Sequence, residues 1–158
     1  MDLDQFWVIV DGASTPAALH DTLDALGQDD LIAFEQLHDA WMRNAYRWDL
    51  WGAAYVINGG CGDDSFDYFR AYLISRGRAI YEAALIDPDS LADVDLEDED
   101  AWEDWMSPTM AVVHRRTGEY GFAAPADPDL NPLGEPAGEP WDEDELPELF
   151  PRLSARYD

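Results

Sequence analysis

The spacing of apolar residues predicts an all-α protein: a single-domain irregular bundle of about six to eight helices, with a proline-rich acidic C-terminal segment. Three observations carry this expectation. Apolar residues recur at three- and four-residue intervals between residues 2 and 117. Helix start and stop signals punctuate that pattern. No stretch alternates apolar and polar for more than about four residues, as a half-buried strand would.

Taken in order, Asp2 or Asp4 caps a first short helix carrying Phe6, Trp7, Ile9 and Val10, and Gly12 ends it. Ser14-Thr15-Pro16 is the next start, a hydroxyl cap with proline in the first turn. Leu19, Leu23 and Leu26 follow at helical spacing up to Gly27. Asp29 or Asp30 caps a third helix. Its apolar stripe is Leu31, Phe34, Leu37, Trp41 and Ala45, and Glu35, Gln36, Asp39 and Arg43 face outward. Asp49 caps a segment from Leu50 to Ile57 that is apolar nearly all round, the mark of a buried helix.

Asn58-Gly59-Gly60 closes that segment, and Asp63 or Asp64 caps the next helix. There Phe66, Phe69, Leu73 and Ile74 line one side, with Tyr68 and Tyr72 beside them. Gly77 interrupts the pattern. Ile80, Tyr81, Ala84 and Leu85 carry it to Asp87-Pro88, where the chain turns. Trp102, Trp105, Met106, Met110 and Val113 again sit at helical spacing, with Pro108 splitting the element and Gly118 as its stop. Residues 123–140 are proline-rich and read as an extended or mobile segment. Trp141 to Tyr157 forms a last helix that Pro147 and Pro151 limit. The expected organisation is a helical core over residues 1–121 and an acidic extension over 122–158.

Charge narrows the function classes. Thirty-five acidic residues face nine basic ones, all arginine, for a net −26. Residues 87–158 hold 21 of the acids and only four arginines. Such a surface repels phosphate backbones and anionic membranes, so neither direct nucleic-acid binding nor membrane binding is expected. A cationic partner is compatible with it. The single cysteine, Cys61, excludes an internal disulfide framework and a cysteine-rich zinc site. No apolar run reaches 18 residues, and the chain opens on the acidic Met1-Asp2-Leu3-Asp4, so a cytoplasmic setting is expected.

Several residues together resemble a known bacterial family. They are Phe6-Trp7, Leu50-Trp51-Gly52-Ala53-Ala54-Tyr55, Gly59-Gly60-Cys61-Gly62-Asp63-Asp64 with Phe66, Phe69-Arg70 with Leu73-Ile74, and Gly77-Arg78. Over about its first 120 residues the chain resembles the family called domain of unknown function 4240. The resemblance implies no biochemical activity, since the family has none assigned.

The candidate site is the turn Asn58, Gly59, Gly60, Cys61, Gly62, Asp63 and Asp64, with Arg70 nearby. Three glycines in four positions allow positive φ, and the turn leads into a helix N-terminus. Asp63 and Asp64 already occupy that end. The turn matches neither a P-loop nor a dinucleotide fingerprint. A structural turn is the plainer reading. Cys61 reads as a small hydrophobe, since none of His20, His38 and His114 can be set beside it from sequence. Arg70, on a largely apolar helix, needs a carboxylate partner, and Asp67 three residues earlier is the natural one. His20 and Asp24 at i, i+4 lack the second histidine a metal site needs. The acidic run from Asp93 breaks the EF-hand pattern at its sixth, eighth and twelfth positions. No residue is singled out as catalytic, and neither metal nor cofactor is expected.

Two function classes remain. In the first, a non-enzymatic protein engages a basic partner, as an inhibitor, an immunity protein or a nucleic-acid mimic. Asp98, Glu99 and Asp100 steer that partner, and Trp102 and Trp105 anchor it. In the second, a small ligand-binding or enzymatic domain uses a pocket at the glycine turn. A concave pocket that brings Arg70 together with a histidine favours the second class. A filled core with a continuous acidic face favours the first.

Overall fold

The computed structural model of the chain describes residues 1–119 and 134–157. They form helices α1 (Leu3–Asp11), α2 (Pro16–Asp24), α3 (Gln28–Asn44), α4 (Trp48–Asn58), α5 (Asp63–Ser75), α6 (Arg78–Ile86), α7 (Glu99–Glu103), α8 (Pro108–Thr117), α9 (Leu146–Leu149) and α10 (Pro151–Tyr157). Two 3₁₀ turns, Pro88–Asp93 and Glu143–Glu145, join them. Among the described residues there is no strand, only an isolated bridge between Arg47 and Ala137. The fold is all-α, in more and shorter pieces than the periodicity alone implies.

Local signals set most of the boundaries. Asp2 and Gln5 satisfy each other's backbone amides at 2.8 Å, a reciprocal cap that starts α1. Thr15 accepts from the Ala18 amide to start α2, with Pro16 in the first turn. Three expected caps are corrected. Asp29 and Asp30 lie inside the first turn of α3, after Gly27. Asp63 and Asp64 likewise follow Gly62 in α5. All four are placed where the helix dipole favours negative charge, without capping. Asp49 falls inside α4, which begins two residues earlier than expected, and it pairs with Arg47.

Helix α5 is the centre of the core. It buries eight of the ten residues from Phe66 to Ser75, all but Asp67 and Tyr68. It touches α1, α3, α4, α6 and α7. On one side Phe6 stacks on Phe34 at 4.7 Å, and Trp7 meets Trp41 and Tyr81 near 5.5 Å. On another, Trp102 packs its ring edge against Phe69 at 5.1 Å.

The C-terminal residues 134–157 lie along α4. Trp141 donates its indole N–H to the Trp48 carbonyl at 2.6 Å, and Leu146, Phe150 and Leu153 join the core. Buried Asp89 accepts from the Arg152 and Leu153 amides and so caps α10 from a distance. Gly52 makes this contact possible. A Cβ there would stand 2.7 Å from Phe150 and 2.9 Å from Trp141. The expected domain boundary at residues 121–122, and residues 123–133 of the proline-rich segment, lie outside the described residues. No helix among the described residues is long and apolar enough to cross a membrane.

Candidate functional site

The glycine turn is closed by its own side chains. Gly59 ends α4 at φ 67°, and Gly60 follows at φ 132°, conformations that side chains other than glycine rarely adopt. Asn58 donates to the Gly60 carbonyl and to Glu99, both at 3.0 Å. Ser65 donates to the other oxygen of Glu99. Trp51 donates its indole N–H to the Cys61 carbonyl at 2.8 Å. These hydrogen bonds hold the Glu99 carboxyl below its usual range. Burial, with Glu99 beside it, pushes the Cys61 thiol up to about 12. The sulfur is therefore a protonated, unreactive group at neutral pH. Asp63 and Asp64 are exposed.

Arg70 does not join the turn. Its guanidinium lies against both the Tyr46 and Phe66 rings, 4.8 and 4.9 Å from their centroids. It pairs with Asp67, as the i, i+3 spacing predicts, and donates to the Met42 carbonyl at 2.8 Å. Its Nε has no partner among the described residues. Burial pulls its pKa down and Asp67 opposes that.

The partner-surface candidates also separate. Asp98 and Asp100 are exposed, but Glu99 is committed to Asn58 and Ser65. Trp102 is fully buried, donating its indole N–H to the Glu97 carbonyl, and Trp105 lies buried beneath Arg76. Neither indole is at the surface, because the turn from α7 to α8 folds both onto α5. An anchor for a partner has to be reachable, and these two are core residues.

A second polar region is more open. A cleft of about 280 Å³ runs between α3, α5 and the turn that joins α7 to α8. From α3 come Glu35, His38, Asp39, Met42 and Arg43; from α5, Asp67 and Arg70; from the turn, Met106 to Thr109. Residues 35, 38, 39 and 42 are three, four and seven apart, so one face of α3 carries them all. Ser107 stands at φ 46°, a left-handed conformation unusual for serine, and Pro108 occupies the first turn of α8. That geometry swings Thr109 against Glu35, to which its hydroxyl donates at 3.2 Å.

Electrostatics in the cleft follow from burial. His38 is 8% exposed, its ring set against Phe34 at 6.2 Å. Burial lowers its pKa to about 4, so the imidazole is neutral at pH 7. No hydrogen bond from the described residues reaches its ring nitrogens. Burial raises the Glu35 carboxyl, the Thr109 hydroxyl opposes that, and the neighbouring Asp39 adds to it. Burial raises Asp39 as well, against the pull of Arg43.

Sequence reasoning missed this cleft. Glu35 and Asp39 read as an outward face; Asp39 is exposed, but nothing in the helical period shows that a distant turn packs against Glu35. One signal was present: His38 falls four residues after Phe34 and seven after Leu31, on the apolar stripe. Among the described residues no group of three or more His, Cys, Asp and Glu could hold an ion.

The chain belongs to the family described as protein of unknown function (DUF4240), whose model matches residues 1–116. That match contains every residue of the glycine turn and of the cleft. No curated protein and no solved structure matches the chain.

Proposed function

We propose that this protein binds a small polar molecule in the cleft between α3, α5 and the Met106–Thr109 turn. The observation that carries the reading is His38. It is more than nine-tenths buried, neutral, and without a hydrogen-bond partner among the described residues. It lines the cleft beside two carboxylates and the buried Arg70. A ligand that reaches the imidazole gives it the hydrogen-bond partner that the described residues do not. The glycine turn, by contrast, spends its polar groups on itself. A cytoplasmic setting fits, since the lone Cys61 requires no oxidising compartment.

A thermal-shift screen against a broad set of polar metabolites tests the reading, because a bound ligand raises the melting temperature by mass action. The expected hits stabilise the wild type and fail to stabilise Glu35→Ala. Hits that act equally on both proteins, or no hits at all, overturn it.

The net charge of −26 favours a second reading, engagement of a basic protein by the acidic surface. With Trp102 and Trp105 in the core, steering falls to exposed carboxylates such as Asp98 and Asp100. Association should then slow as salt rises, over a screening length of about 8 Å at physiological ionic strength. Neutralising Asp98 and Asp100 should flatten that dependence. A partner captured with no salt dependence ends this second reading.

A further inference from the structure

We infer that the cleft takes an organic primary ammonium, its three N–H donors shared among Glu35, His38 and Asp39. The inference rests on the cleft being a site. Three acceptors lie on one face of α3. Glu35 has one oxygen engaged by Thr109 and its other oxygen unbonded among the described residues. A neutral imidazole presents one lone-pair nitrogen, and His38 has no protein donor for it. Asp39 follows at the next position. Residues three and four apart on a helix have Cβ atoms about 5–6 Å from one another, a spacing that a single –NH₃⁺ spans with ordinary hydrogen bonds.

Charge and shape agree with that class. The cleft holds the carboxylates of Glu35, Asp39 and Asp67 against the guanidiniums of Arg43 and Arg70. Asp67 neutralises Arg70, and Arg43 is itself engaged. The remaining charge is negative, as is the field of the whole chain. An anion placed there meets two carboxylates that burial already disfavours. A cation lowers the cost of ionising both. Met42, Met106 and Pro108 supply an apolar wall for a short carbon chain.

The experiment is a titration of the ¹⁵N-labelled full chain at pH 7, reading the His38 imidazole nitrogens by NMR. Three probes of matched length are used: butylammonium, butyrate and 1-butanol. Butylammonium should shift the His38 signals saturably, and the other two should leave them in place. Glu35→Gln should weaken butylammonium about tenfold or more, since a charge-assisted bond is lost. If that variant fails to fold, Asp39→Asn gives the same test. Should butyrate or butanol shift His38 where butylammonium does not, the cleft remains a site and the ammonium assignment is overturned. Should no probe shift it, the ammonium assignment falls for want of binding. The metabolite screen then decides separately whether the cleft is a site for anything larger. A butylammonium response in Glu35→Gln and Asp39→Asn equal to that of the wild type also overturns it.

Discussion

The glycine turn at residues 58–64 and the cleft on α3 are both polar, both partly buried and both built against α5. They differ in what their polar groups do. In the turn, each donor meets an acceptor within the protein: Asn58 and Ser65 on Glu99, and Trp51 on the Cys61 carbonyl. In the cleft, the Nε of Arg70 is buried without a partner among the described residues, and no hydrogen bond from them reaches the imidazole of His38. A satisfied network holds a backbone in one shape. An unsatisfied one stores a cost that a ligand can relieve. Glycines and acids make the turn conspicuous in the sequence, yet its chemistry is spent on closing a loop. The cleft looks in sequence like an ordinary solvated helix face.

The contrast breaks first, if it breaks, at His38. The unfolded imidazole titrates near 6.5 and the folded one near 4. Between these values the unfolded chain holds a proton that the folded chain refuses. Stability therefore falls as pH drops through that window, by roughly 3 kcal/mol in full. Glu35 and Asp39, with raised pKa values, act in the opposite sense at its acid end, where they take up protons in the folded state first. Arg43, Asp67 and Arg70 also line the cleft. Denaturant unfolding of wild type and His38→Leu isolates the imidazole. The stability difference between them should change steadily from pH 7 to pH 4.5, to the disadvantage of the wild type. A constant difference shows that the imidazole reaches solvent.

Cys61 tests the closed side. With its thiol near 12, almost no thiolate exists at pH 8. Alkylation by iodoacetamide should run at least about a hundredfold slower than for an unperturbed cysteine. Labelling at the ordinary rate means that the turn opens readily, and the contrast with the cleft disappears.

Arg70 lies where the cleft meets the core. Arg70→Met strips a partner from Asp67 and from the Met42 carbonyl. Because Asp67 is 44% exposed on its side chain, the expected loss is on the order of 2 kcal/mol rather than the larger cost of a fully buried pair. A neutral result in urea denaturation at pH 7 marks the pair as dispensable.

The smallest effects carry opposite signs. Glu99→Ala removes the acceptor of two hydrogen bonds in the turn and should cost about 1–2 kcal/mol. Glu35→Gln removes a carboxylate whose charged form burial disfavours, so stability at pH 7 should hold or rise slightly. Equal losses for the two variants erase the distinction between a structural and a binding carboxylate.

Much of the fold was legible because helices are local. Asp2 with Gln5, Thr15 with Pro16, Gly59, and Pro108 with Gly118 act within four residues of their own helix ends. The i, i+3 pairing of Asp67 with Arg70 is local in the same way. Asp29, Asp30, Asp63 and Asp64 were placed in the correct turns and given the wrong role. A cap and a first-turn acid differ by a single residue, and both are favoured there.

What the sequence determined by itself was the all-α class, the apolar stripes and the family, because each rests on periodicity or on contiguous motifs. Only the tertiary structure decided which polar face is covered. Thr109 meets Glu35 across 74 positions, and Glu99 meets Asn58 across 41. Asp89 caps α10 from 64 positions away. Trp102 and Trp105 show the same limit: at helical spacing among acids they read equally well as anchors or as core. Helical period shows which residues share a face. It does not show what that face meets, because the covering element arrives from elsewhere in the chain. Burial then keeps His38 neutral and raises the Glu35 carboxyl, so the chemistry of the cleft is a property of the packing.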